Sequence, residues 1–109
     1  MNKSKWIGLY KEYGIPDAPS IRSFFCPTAY EGEDKVIHFL ESGQDKLASP
    51  RSEKDFFTGE PVPYESLIMT DGTYCWCLSL AYYVKKYHLR FPKEVENYIL
   101  ESNLIKGTA

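Results

Sequence analysis

The sequence predicts an α+β domain in which a small, mainly antiparallel sheet with a central hairpin packs against two to three helices. Three observations lead there. The pair Asp71-Gly72 separates two short runs of strand-forming residues, LIMT and TYCW. A tyrosine-rich segment with helical periodicity follows at once, after Ser79. A second helical pattern, Glu33–Ser42, lies upstream and ends at Gly43.

In chain order, residues 3–13 place Trp6, Leu9, Tyr10 and Tyr13 on one face of a short expected helix, which Gly14, Pro16 and Pro19 stop. Ile21–Cys26 has strand character. In Glu33–Ser42, Val36, Ile37, Phe39 and Leu40 form an apolar stripe, with His38 expected among them as a partly buried imidazole. The acids Glu33 and Asp34 suit the helix's first turn, and Gly43 suits its end. KLAS, from Lys46 to Ser49, reads as a strand. PRSEKDFFTGEPVP, from Pro50 to Pro63, reads as a proline- and glycine-punctuated connection that Phe56 and Phe57 anchor to the core.

The hairpin follows from backbone sterics. Asp-Gly readily takes the positive φ angles of a type I′ turn. That turn would pair Thr70 with Thr73, Met69 with Tyr74, Ile68 with Cys75 and Leu67 with Trp76. Leu67, Met69, Tyr74 and Trp76 then share one face, and Ile68, Thr70, Thr73 and Cys75 the other. Cross-strand aromatic–aliphatic pairs contribute about 0.2–1 kcal/mol each. A lone hairpin is marginal in water, so other elements must cover it.

Beyond the hairpin, Ser79 is an expected N-cap. Leu80, Tyr83, Val84 and Tyr87 make one apolar helical face, and Lys85, Lys86 and His88 suit the C-terminal end of the dipole. Pro92 is placed to start a last helix. Val95, Tyr98, Ile99 and Ser102 are its expected inward face, with Leu100 and Leu104 nearby and a frayed tail from Lys106 to Ala109.

A chain of 109 residues suits one domain, 1–109, with a core that needs no metal or disulfide staple. Its 43% hydrophobic and 16% aromatic content excludes a disordered chain. No apolar run reaches the roughly 18 residues of a membrane span, and the N-terminal segment lacks a signal-peptide core. The expectation is a cytoplasmic protein with no membrane association. Cys26, Cys75 and Cys77 read as reduced thiols: Cys-Trp-Cys lacks the usual metal-ligand gap, and His38 and His88 form no spaced pair with it. Neither a metal nor a cofactor is expected.

Charge is uneven. Residues 31–71 carry ten acids against four bases, whereas residues 1–30 and 72–109 each sum to +2. An acidic band argues against nucleic-acid binding and for a basic partner. No phosphate-binding glycine loop and no spaced nucleophile–base set occurs, so a non-enzymatic role is expected. A Cys/His hydrolase is the catalytic alternative. An adaptor that associates through Tyr10, Tyr13, Tyr30 and Tyr82 is the structural one.

The run from Met69 to Val95 resembles the C-terminal signature of small bacterial immunity proteins that neutralise polymorphic or contact-dependent growth-inhibition toxins. Thr70, Asp71, Gly72, Tyr74, Trp76, Leu80, Tyr82, Tyr83, Val84, Tyr87, Leu89, Pro92 and Glu94 carry the likeness. Upstream, Ser42-Gly43 and the Asp55, Phe57, Thr58, Gly59 element are also similar. Cys77, in place of a proline, and Val95, in place of a phenylalanine, depart from the pattern. The resemblance implies a cognate protein toxin as partner, such as a nuclease domain with a basic groove, met by a monomer or weak homodimer. Asp45, Glu53, Asp55, Glu60, Glu65 and, at the band's edge, Asp71 are the expected partner-binding residues.

Overall fold

A computed structural model describes the backbone of residues 5–102 and their side chains other than those of 45–52. The strands are β1 (Lys5–Trp6), β2 (Gln44–Lys54), β3 (Pro61–Thr70) and β4 (Tyr74–Cys77). The helices are α1 (Glu33–Ser42), α2 (Leu80–Tyr87) and α3 (Lys93–Glu101). The sheet order is β1-β4-β3-β2. β2, β3 and β4 are antiparallel and β1 joins β4 in parallel, so the sheet is mixed and the β3–β4 hairpin is central. No described helix is long and apolar enough to cross a membrane.

Trp76 organises the core. Its ring is fully buried and lies 4.8 Å from that of Phe39. Its indole N–H donates to the Leu40 carbonyl at 2.9 Å, which satisfies a polar group that would be costly to bury alone. Phe39 and Leu40 therefore bring α1 onto the hairpin. Tyr83, Val84 and Leu80 of α2 and Ile99 of α3 complete the same core. Gly43 is needed where α1 turns into β2 because a Cβ there would stand 2.7 Å from Trp76 Cζ2. Its φ of −70° is ordinary, so close approach, not a left-handed cap, explains the glycine.

The hairpin keeps the expected faces in a different register. Thr70 pairs with Cys75, Met69 with Trp76 and Ile68 with Cys77. A displacement by two residues preserves the alternation, so Met69 and Trp76 still share a face. The turn is not type I′. Asp71 lies before its two central residues, and its Oδ1 accepts from the Thr73 and Tyr74 N–H groups at 3.0 and 2.8 Å. This side-chain closure competes with the tighter turn. Gly72 alone takes positive φ, +97°.

Other expectations give way to local chemistry. Of the expected helix over residues 3–13, the described part, residues 5–13, is not a helix: the Lys5 and Ile7 N–H groups donate to the Thr73 and Cys75 carbonyls, and Gly8 breaks helical φ at +83°. Only Lys11–Tyr13 forms a 3₁₀ turn, leaving Trp6 and Leu9 exposed. Ile21–Phe24 is a 3₁₀ helix in place of a strand, started by the Ser20 hydroxyl accepting from the Arg22 N–H. The 50–63 connection is largely strand. Pro50 is tolerated because β2 is an edge strand with irregular pairing between Ala48 and Ser52.

Smaller differences concern single side chains. The Ser79 hydroxyl meets that of Tyr13 at 2.8 Å and caps nothing. His38 is exposed, since it projects away from the Val36–Leu40 stripe, and Leu100 is also exposed. Leu104 and the tail lie outside the described residues.

The two glycines separate two causes of destabilisation. Gly43→Ala is expected to cost about 1–3 kcal/mol through overpacking against Trp76. Gly72→Val is expected to cost about 1–3 kcal/mol through φ alone, because open space surrounds that position. Chemical denaturation measures both, and Gly72→Asn should recover much of the second loss but Gly43→Asn none of the first.

Candidate functional site

The acids of the central third fall into two groups. The first is used by the fold. Glu33 meets His88 Nδ1 at 2.9 Å, and Glu41 meets Lys85 at 2.9 Å. Asp71 closes its turn with Oδ1 and accepts from the Tyr98 hydroxyl at 2.6 Å with Oδ2. Asp71 therefore serves the hairpin and its junction with α3, not a free binding surface.

Asp55 is the clearest correction to a surface reading. It is only 3% exposed. Its Oδ1 accepts from the Phe57 and Thr58 N–H groups at 2.7 and 3.0 Å. Its Oδ2 accepts from the Tyr82 and Tyr87 hydroxyls, both at 2.7 Å, with Lys86 Nζ at 3.5 Å. The backbone closes the same turn: Asp55 N–H donates to the Glu60 carbonyl and Gly59 N–H to the Asp55 carbonyl. Burial alone would raise the carboxyl pKa. The hydrogen bonds from Tyr87, Phe57 N–H, Tyr82 and Thr58 N–H outweigh it and hold the group down to about 2.

Aromatic rings surround this carboxylate. Phe25 stacks on Tyr87 at 4.5 Å, and Phe57 packs edge-on to both. Phe56 stacks on Tyr83 at 5.5 Å, and its N–H donates to the Tyr83 hydroxyl at 3.1 Å. Phe56 and Phe57 thus anchor the turn as expected. Phe56 nevertheless remains 39% exposed.

Glu53, Glu60 and Glu65 make a second group, with no ion pair among the described residues. Glu60 and Glu65 are exposed. Glu53 is half-buried on the same β2–β3 hairpin. It lies near enough to Tyr13, Tyr83 and Cys77 that its charge adds to the effect of burial in raising their pKa values. The Asp45 side chain lies outside the described residues.

The thiols are the candidate nucleophiles of the sequence. Burial first, and Glu53 second, push the Cys77 thiol up to about 11, so it stays protonated at neutral pH. Cys75 is fully buried. Among the described residues, no hydrogen bond joins Cys26 or Cys77 to either histidine, and His88 instead meets Glu33. No group of three or more His, Cys, Asp or Glu among the described residues could hold a metal. A cleft of about 910 Å³ between α1 and α3 has mixed charge, and its Arg90 is held by Glu96 at 2.8 Å.

The tyrosines expected as an adhesive surface mostly serve the fold. Tyr10 is buried, Tyr30 donates to the Leu89 carbonyl and Tyr82 to Asp55. The exposed apolar residues that sequence reasoning missed are Trp6 and Leu9, at 40% and 48% exposure, beside a cleft of about 190 Å³. Gly8 was the available signal, since it breaks the helical pattern that would have turned both inward.

At neutral pH Asp55 is ionised in folded and unfolded chains alike, and its lowered folded pKa favours folding. That contribution, about 2 kcal/mol, is present above the ordinary carboxyl pKa of 3.8 and is lost as pH falls towards 2. Asp55→Asn should cost about 3 kcal/mol at pH 7 and flatten the acid limb of the stability curve. Urea midpoints measured across that pH range check both effects.

No protein-family model matches this chain, and it has no significant match among curated proteins or among solved structures.

Proposed function

We propose that this protein is a binding module, not a catalyst: an immunity-type inhibitor that occupies a cognate bacterial toxin through the acidic outer part of the β2–β3 hairpin. The observation that carries the reading is that Glu60, at the end of the turn that Asp55 closes, and Glu65, further along β3, are exposed and enter no ion pair among the described residues. Glu53 completes the described set, and Asp45 joins it from sequence alone. Asp55 acts behind this surface as its support, whereas Asp71 closes the turn at the opposite end of β3 and lies outside it.

Electrostatics favours a basic partner. Unpaired carboxylates raise the rate of encounter with a cationic groove and disfavour nucleic acid. A nuclease toxin with a basic substrate groove fits, and occlusion of that groove would neutralise it in the cytoplasm. A fixed turn loses little conformational freedom on docking, so more of the contact energy is kept.

A second reading, an adaptor or self-associating module, is favoured by the exposure of Trp6 and Leu9 beside their apolar cleft.

The test is titration against the toxin domain encoded by the neighbouring gene. Joint reversal of Glu53, Glu60 and Glu65 to lysine is expected to abolish the salt dependence and weaken binding by tenfold or more, on the order of what several interfacial charges supply. Unchanged affinity and salt slope would refute the charge reading. No toxin binding, together with a mass in light scattering that rises with protein concentration, would favour the adaptor.

A further inference from the structure

We propose that Phe56 is the anchor of this surface and that its ring receives a guanidinium group of the basic partner; the inference rests on the acidic-hairpin reading above.

The ring is exposed yet fixed. One side stacks on Tyr83 with an interplanar angle of 8°, and Tyr13 meets it edge-on at 5.1 Å. The Phe56 N–H is held by the Tyr83 hydroxyl, and the next two N–H groups by Asp55. An aromatic side chain held in this way loses little freedom when it is covered, and burial of its exposed part favours a partner. Aromatic anchors of this kind dominate many interfaces.

Charge identifies what covers it. Glu53 acts electrostatically on Tyr13 and Tyr83, two of the three rings packed around Phe56. Glu60 closes the turn from the other end through its carbonyl and has an exposed side chain. Lys86, whose charge also acts on Glu60, is already committed to Asp55 and to the Tyr82 and Tyr87 rings, and Arg22 to the Phe57 ring. An apolar partner would bury these carboxylates unpaired, at a cost. A planar cation satisfies both features: its face lies on the ring and its N–H groups reach the carboxylates. The fold uses the same pairing internally, with Arg22 over Phe57 at 4.7 Å and Arg90 over Tyr30 at 4.5 Å.

The experiment titrates the isotope-labelled protein with oligo-arginine and, separately, with oligo-lysine of equal length at low salt. Amide shifts are expected to centre on Glu53 and Phe56–Glu60, with arginine preferred. The arginine δ-protons should move upfield in the ring current of Phe56. Phe56→Leu keeps apolar bulk but removes the aromatic face, and should weaken oligo-arginine binding about two- to fivefold while erasing its preference over lysine. Hairpin binding that is equal for both peptides and indifferent to Phe56→Leu would overturn the anchor and leave the acidic surface standing. Absence of hairpin shifts with either peptide would overturn both. Should Phe56→Leu fail to fold, the ring-current shift decides on the intact protein: its absence sinks the proposal.

Discussion

The buried carboxylate of Asp55 is the interaction on which the arrangement of this protein depends. An ionised group taken from water is tolerated only when its lone pairs are satisfied. Here two backbone N–H groups of its own turn and two tyrosine hydroxyls of α2 do so. One atom group thus fixes the local shape of the β2–β3 turn and its docking on a helix 27 and 32 residues later. The Phe25, Phe56, Phe57, Tyr83 and Tyr87 rings close around that junction and exclude water, which strengthens each of its hydrogen bonds.

A parallel logic operates at the other end of the hairpin. Asp71 satisfies its own turn with one oxygen and the Tyr98 hydroxyl of α3 with the other. Each aspartate belongs to the turn by sequence and to a helix by contact. The sequence pattern on which the immunity-type proposal draws lies in these same segments. Asp55 and Phe57 meet Tyr82 and Tyr87 directly, so much of that pattern describes how the fold is held together. The proposed binding role then rests on residues outside the pattern: Glu53, Glu60 and Glu65, and the exposed part of Phe56.

What was legible in the sequence follows from the range of the interactions. α1 spans the residues that its apolar period and flanking glycine predicted, because those signals are local. The hairpin's faces were legible too, since alternation survives a two-residue shift in pairing. The turn type was not, because Asp-Gly favours one geometry by backbone preference and Asp71's own carboxylate selects another. Residues 5–13 depart from the helical expectation because β1 is held through the Thr73 and Cys75 carbonyls, contributed by and beside a distant strand. Asp55 was misread for the same reason. In SEKDFF it resembles one more solvated charge, and nothing local announces the two hydroxyls that bury it.

The central claim is that the Asp55 carboxylate couples the turn to α2, and a double-mutant cycle measures that coupling most directly. Asp55→Asn, Tyr87→Phe and the double variant would be compared by denaturant unfolding at neutral pH. The account predicts that the second change costs much less once the first is made, with an interaction of about 1 kcal/mol or more. Additivity within about 0.3–0.5 kcal/mol would contradict it, and would mean that turn and helix are held together by ring packing alone.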